Sequence, residues 1–377
     1  WPGSDASLMP FLLMAHSDVV PADAEKWTHP PFQGMVKDGF IWGRGTMDNK
    51  GNLLAIMEAA EMLLAEGYAP KQTVYLAFGH DEEVTGKYGA ASIVEHLQKE
   101  NVKLDFVLDE GLVITKDIPG MKVPLALVGV GEKGYLSLEL SVEMESGHSA
   151  MPPSNTAIGI LSAALAELEA NPMPAKLNPV VKEMIAYVAP EISFLQRIPL
   201  ANLWLFGKTI KGLLASEIAT NAIIRTTTAV TTFQSGNETE NVLPAQAQAI
   251  VNFRLMPGDS ITWVVKQVKK IIKDDRVKIE IVGDRNEAPP ISDIDTDGFR
   301  EIQKTIAEVF PGCVISPGMH VGSSDSRYYH SLTENVYRFS PLVATREDVS
   351  RVHGNDERVS IETVSYTHLT LPTIVRV

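Results

Sequence analysis

Cysteine is almost missing from this chain of 377 residues: Cys313 is the single one. That excludes an internal disulfide and any cysteine-ligated metal site, and leaves Cys313 as a small, partly buried residue. No apolar run is long enough to cross a bilayer. No run of Lys or Arg occurs and the formal net charge is −14, which argues against nucleic acid or an anionic membrane as a partner. The N-terminal stretch WPGSDASLMPFLLMAHSDVV lacks the basic start and small-residue cleavage site of a signal peptide. It reads as a chain entered midway, one loop before a core strand, so cytoplasmic, vacuolar and secreted placements all stay open. From Val364 onward, VSYTHLTLPTIVRV has no patterning linked to what precedes it. It resembles a translated sequencing-adaptor tail, so residues 364–377 are set aside as non-native and His368 is left out of the search for ligands.

What is present is globular: 45% hydrophobic and 21% charged residues, enough for a sizeable core and, at this length, two domains. Three short apolar runs end in acidic or histidine residues: FLLMAHSD (11–18), TVYLAFGHDEE (73–83) and LDFVLDEG (104–111). Runs of this kind are strands covered on both faces. Helical spacing separates them in 49–67 and 89–101, which gives the α/β signature of a mainly parallel sheet with helices on both faces. Ligands of such sheets gather at the carboxyl ends of the strands, where all three acidic clusters fall. After Gly131 the pattern changes to alternating strands and amphipathic helices. The expected division is a catalytic domain in 1–132 and 285–363, interrupted by an inserted α+β lid or dimerisation domain in 133–284. Within the insertion, Ile192–Ala215 is apolar enough to line an acyl pocket or a dimer interface, although lid core is the safer reading.

The adjacent pair Glu82 and Glu83 raises the question of chemistry, because neighbouring carboxylates repel. A solvated turn is one answer; the other is that one glutamate holds a cation and its neighbour a water or proton. His16 and Asp18, two apart at a strand end, share a face, which describes a core histidine with its partner as well as a metal ligand. Asp48 in GRGTMDNKGN sits where a helix N-cap would. Taken with Asp109, Glu110 and His353, these residues make a nitrogen–oxygen donor set suited to zinc, or to manganese or cobalt.

In order, AHSDVVP, GRGTMDNKG, GHDEEVTG, LDEG, SGHSAMPP, NVLPAQ, NFRLMPG, GSSDSRYY and RVHGNDER resemble the di-zinc peptidase superfamily of carboxypeptidase S, aminoacylase-1, glutamate carboxypeptidase and succinyl-diaminopimelate desuccinylase. The likeness spans Phe11 to Glu362 and is nearest to carboxypeptidase S and the N-fatty-acyl-amino-acid hydrolases. It implies two Zn2+ per chain, or Co2+ or Mn2+. Asp48 would bridge the ions, His16 and a carboxylate of LDEG would complete one shell, and Glu83 and His353 the other. Between Asp109 and Glu110 the resemblance leans to Asp109. It makes Glu82 the general base and His148 an electrophile that in relatives often reaches across a dimer; Asp18, by its spacing, would supply the acceptor that fixes His16. Arg254 and Asn241 would engage the substrate, with Gly322 and Ser323 lining its pocket, and the Asp48–Asn49 peptide would be cis.

The resulting expectation is a metal-dependent amidohydrolase or carboxypeptidase that frees an amino acid from a small peptide or an N-acyl amino acid, with a homodimer through the lid. The competing expectation is a metal-binding but catalytically silent fragment or dimerisation module.

Overall fold

The computed structural model describes residues 1–116, 118, 120–236 and 239–365. The tail set aside above therefore lies almost wholly outside the described residues. With elements numbered along the chain, the main sheet contains β1 (Phe11–His16), β4 (Val74–Gly79), β5 (Val107–Thr115), β6 (Leu125–Glu132), β13 (Val314–His320) and β14 (Val336–Ala344). Their order is β13-β6-β14-β5-β1-β4. Strands β4, β1, β5 and β14 run parallel, and β6 runs antiparallel to β5 and β14.

Alternation along β1 explains both faces. Phe11, Leu13 and Ala15 pack with Ala55, Ile56, Ala59 and Leu63 of α1 (Lys50–Ala65) and with Phe299, Ile302 and Ile306 of α9 (Asp297–Val309). Leu12 and Met14 join the opposite core with Val94 and Leu97 of α2 (Ala90–Lys99). Each such fully buried Leu or Phe contributes roughly 1.5–3 kcal/mol. The register sets His16 beside Gly79 and Leu13 beside Leu108. The ends of β1 and β4 and the middle of β5 thereby meet at one edge.

The chain leaves this sheet between β6 and β7 (Gly134–Glu143). It builds a second, antiparallel sheet with β9 (Thr227–Ser235), β11 (Gln246–Leu255) and β12 (Lys278–Asn286), in the order β12-β7-β11-β9. Leu136, Leu138, Leu140 and Val142 face α3 (Ala157–Ala170) and α8 (Ile261–Ile272) across a separate core. The alternation marks a sheet with one face covered.

A helical run follows α3: α4 (Pro179–Val188), α5 (Phe194–Ala201), α6 (Leu203–Ser216) and α7 (Ile218–Ala222). Here α4 packs on edge strand β13 of the main sheet. Ile210 is the buried residue of α6. Leu200, Leu203 and Phe206 are half-buried around it, whereas Phe194, Leu195, Trp204 and Leu213 are exposed. One face of this hairpin thus packs against Val181 and Ile185 of α4, and the other faces solvent. Two small sheets complete the fold: β2 (Met35–Lys37), β3 (Phe40–Trp42) and β15 (Arg358–Ser360), and the pair β8 (Gly147–His148) and β10 (Val242–Leu243). A short helix, α10 (Arg346–Ser350), precedes the loop that carries His353.

Candidate metal centre and active site

His16 ends β1 and is buried. Its Nδ1 donates to the Asp18 carbonyl at 3.1 Å, with Asp18 Oδ1 at 3.3 Å. This fixes the ring so that Nε2 faces its neighbours. Those are Asp48 Oδ1 at 3.0 Å and Glu110 Oε1 at 3.2 Å. On the other side, His353 Nε2 meets Asp48 Oδ2 at 2.8 Å and Glu83 Oε2 at 3.2 Å. Asp48 therefore offers one oxygen to each histidine. Donor atoms of His16, Glu82 and Glu110 lie within 4.8 Å of one another, as do those of His16, Asp48 and Glu83.

The loops that carry these groups are held firmly. Asp48 precedes α1, whose N-terminal dipole favours a carboxylate. Its backbone N–H and those of Gly45 and Met47 donate to Glu357 Oε1 at 3.2, 3.0 and 2.8 Å. Glu357 Oε2 also pairs with Arg44 Nη1 at 2.6 Å, and Arg44 Nη2 reaches the Gly354 carbonyl at 2.7 Å. A fully buried ion pair thus ties the Asp48 loop to the His353 loop. The Asp48–Asn49 peptide is cis, as the resemblance implies. In the Glu82–Glu83 turn, Asp18 Oδ2 accepts from the Glu83 N–H at 3.0 Å, and the Thr85 carbonyl accepts from Tyr328 Oη at 2.6 Å.

The pairing of β5 with β14 sets Asp109 and Glu110 apart. Arg338 pairs with Asp109 and Phe339 with Leu112, so Glu110 and Gly111 bulge from the ladder. A bulge re-aims a side chain. Gly111, at φ 150°, permits it, since a Cβ there would stand 2.8 Å from Arg338 Cβ. Glu110 turns to His16, while Asp109 is buried and accepts from the Ser326 N–H at 3.2 Å. On this geometry Glu110, and not Asp109, faces His16 Nε2.

The electrostatics describe a site crowded with negative charge. Burial opposes charge on His16, but Asp48 and Glu110 together push its pKa up to about 12. His353 is raised to about 10 by Asp48 and Glu83. Burial, with nearby carboxylates, pushes Glu82 up to about 9 and Glu110 up to about 8. Burial also opposes charge on Asp48, yet His16 and His353 hold its carboxyl below the usual range. Such shifts are those of carboxylates crowded together in a buried site.

A cleft of about 770 Å³ opens over this cluster, lined by Glu82, Glu83, Tyr135, Arg254, Ser323 and His353 among others. Arg254 of β11 stacks on Tyr135, 4.7 Å from the ring centroid. Ser323 is carried by a loop that buried Glu132 holds through the Ser324 N–H at 2.9 Å, and Glu132 is itself paired with Arg338 of β14. Gly322 sits against the His320 ring. Neither His148 nor Asn241 lines the cleft: His148 is exposed on β8, Asn241 is exposed just before β10, and the Asn241 carbonyl accepts from the Ser149 N–H at 3.0 Å. Arg44 and Glu357 escaped notice in the sequence, although both stand inside motifs already singled out there, GRGT and NDER.

A carboxylate–histidine cluster at the carboxyl edge of a mainly parallel sheet, with an inserted antiparallel sheet contributing to its cleft, defines a metal-dependent amidohydrolase. The chain belongs to peptidase family M20/M25/M40, whose model matches residues 12–374. It is 45% identical to an N-fatty-acyl-amino acid synthase/hydrolase PM20D1 of Xenopus tropicalis, covering 96% of this chain and 71% of that relative. It is 43% identical to a probable carboxypeptidase S-like 2 of Dictyostelium discoideum, covering 96% and 70%. Its fold matches a metallo-carboxypeptidase Sso-CP2 of Sulfolobus solfataricus with TM-score 0.71 at 18% identity, covering 99% and 85%. Human carnosine dipeptidase 1 matches with TM-score 0.70 at 18% identity, covering 100% and 81%. The chain is accordingly an enzyme of a metal-dependent family, and the expectation of a silent module finds no support.

Proposed function

We propose that the chain hydrolyses the amide bond to an amino acid that keeps its free carboxylate, using two zinc ions, for which cobalt or manganese can substitute. The observation that carries this reading is Asp48, with one oxygen on His16 and the other on His353. The donor set fits the metal. Glu83 Oε1 is buried without a hydrogen-bond partner, and two imidazoles with three carboxylates are what zinc accepts. His16, Asp48 and Glu110 would hold one ion and His353, Asp48 and Glu83 the other.

Bound there, divalent cations would supply Lewis acidity and a water more acidic than bulk. The remaining work falls to the chain. Glu82 takes the proton of the attacking water as its oxygen bonds to the amide carbon. When the C–N bond breaks, Glu82 passes that proton to the departing amine. Arg254, half-buried beside the cleft, pairs with the substrate carboxylate through its planar fork. Asp18 holds His16 and the Glu83 backbone in register. His148 and Asn241 would reach a substrate only from a second copy, which makes a homodimer through the inserted sheet part of the proposal.

The names of the relatives suggest two substrate classes, N-acyl amino acids and C-terminal peptide bonds. Amino-acid release is measured from an N-long-chain-acyl amino acid, an N-acetyl amino acid and a blocked dipeptide with a free C-terminus, with zinc and with chelator. Zinc-dependent release from one of them is expected. No release from folded, zinc-loaded protein would overturn the proposal.

A further inference from the structure

Away from the cleft, the α5–α6 hairpin presents apolar side chains to solvent. Phe194, Leu195 and Trp204 are 73%, 77% and 83% exposed, and Leu205 and Leu213 are exposed with them. On α6 the pattern is systematic: positions 204, 205, 208, 209, 212 and 213 face outward while Ile210 is buried and Phe206 and Leu214 are half-buried against the neighbouring core. The outward face therefore carries Trp204, Leu205 and Leu213 around Lys208. Large apolar groups gathered on a surface mark an interaction site.

Charge identifies the partner. Between the exposed Glu191 and Glu217 the chain has no Asp or Glu but carries Arg197, Lys208 and Lys211, although the whole chain carries −14. The Arg197 guanidinium is held by the Pro190 and Ile192 carbonyls. None of the three cations pairs with a carboxylate among the described residues. A second copy meeting this face about a two-fold axis would set the outward Lys208 near its own equivalent. A surface of anionic headgroups over hydrocarbon answers both features: the rings and leucines enter the headgroup–acyl boundary, and the cations remain at the phosphates. Screening over a Debye length of about 8–10 Å makes the contacting face, and not the distant acidic bulk, decide the approach.

We propose that the outward face of the α5–α6 hairpin, centred on Leu195, Trp204 and Lys208, docks the enzyme peripherally on an anionic phospholipid surface. The whole-chain charge argued against such a partner because it averages over this local excess of cations. The proposal does not depend on the substrate reading, since it concerns a different face.

The test is co-sedimentation of the full chain with vesicles of phosphatidylcholine, alone and mixed with phosphatidylserine. Binding to the mixed vesicles is expected, weakening with salt. The double variant Leu195→Ser, Trp204→Ser should bind at least ~10-fold more weakly, since two large apolar groups no longer insert. Lys208→Gln with Lys211→Gln should abolish most of the preference for phosphatidylserine. Unchanged circular dichroism and melting temperature verify that these exposed substitutions leave the fold intact. Wild-type protein that stays in the supernatant would overturn the proposal, as would a serine variant that binds like wild type. A wild-type dimer that the serine variant dissociates, with no vesicle binding, would also overturn it and assign the face to a second copy.

Discussion

The carboxylate of Glu357 accepts the backbone N–H of Asp48 at 3.2 Å, so a residue that touches no ligand fixes the group standing between the two histidines. Its second oxygen is committed to Arg44, and both partners are buried. Replacing Glu357 by Gln leaves Arg44 without its counter-charge, a loss of about 3–5 kcal/mol for a broken buried pair. Metal affinity should fall about 10–100-fold, as for groups that orient a ligand. Calorimetric metal titration beside a melting curve measures both; wild-type affinity in a destabilised variant would show the contact to be merely structural.

The adjacent glutamates should separate cleanly. Glu82→Gln is expected to take up metal as wild type does while losing about 100- to 10,000-fold in kcat, the span of a lost general base. Glu83→Gln should lose metal instead, because Glu83 stands 3.2 Å from His353 Nε2 on one side of Asp48. Metal content and turnover of the two variants, compared side by side, decide the assignment. Swapped phenotypes would reverse it.

Metal-free protein should lose stability as pH rises. His353 is raised to about 10 and His16 to about 12, so their contribution is complete below the unfolded value of 6.5 and is lost as pH climbs through those values. Glu82 and Glu110, raised to about 9 and about 8, act in the same sense from about pH 4.5 upward, because the folded state holds protons that the unfolded state releases. The melting temperature of chelator-treated protein should therefore fall between pH 5 and pH 9, with zinc flattening the profile by replacing those protons. A melting temperature that rises over that window would contradict the charge crowding described for the site.

Arg254→Lys keeps the charge but loses the planar fork. Charge-assisted bidentate pairing is worth about 1.5–3 kcal/mol, so KM should rise about 10–100-fold with kcat little changed. An amide-capped substrate should not distinguish the variant from wild type. If both substrates suffer equally, the stacking on Tyr135 serves architecture and not recognition.

Much of the fold was legible because the pattern and the structure obey one rule. The apolar runs leading to His16, Glu82 and Asp109 supply strands β1, β4 and β5, although β5 continues past the acidic pair to Thr115, and the alternation after Lys133 is a sheet covered on one face. The gathering of His16, Asp48, Glu83 and His353 could be foreseen, since each ends a run or sits in a glycine-bearing loop. Glu110 could not be told from Asp109, because the choice depends on a bulge opposite Arg338 that no periodicity encodes. Glu357 and Arg44 were hidden for a different reason: their partnership spans more than three hundred residues and uses backbone N–H groups. The exposure of Trp204 was equally illegible, since an apolar helix reads the same whether its face meets a core or water.

The most direct test of the account is a zinc titration of metal-free protein that follows heat and amino-acid release together. The geometry around Asp48 predicts two equivalents per chain, full activity only when both are bound, and loss of one or both in Asp48→Asn. Saturation at one equivalent with full turnover, or activity that survives complete metal removal, would contradict the shared role of Asp48.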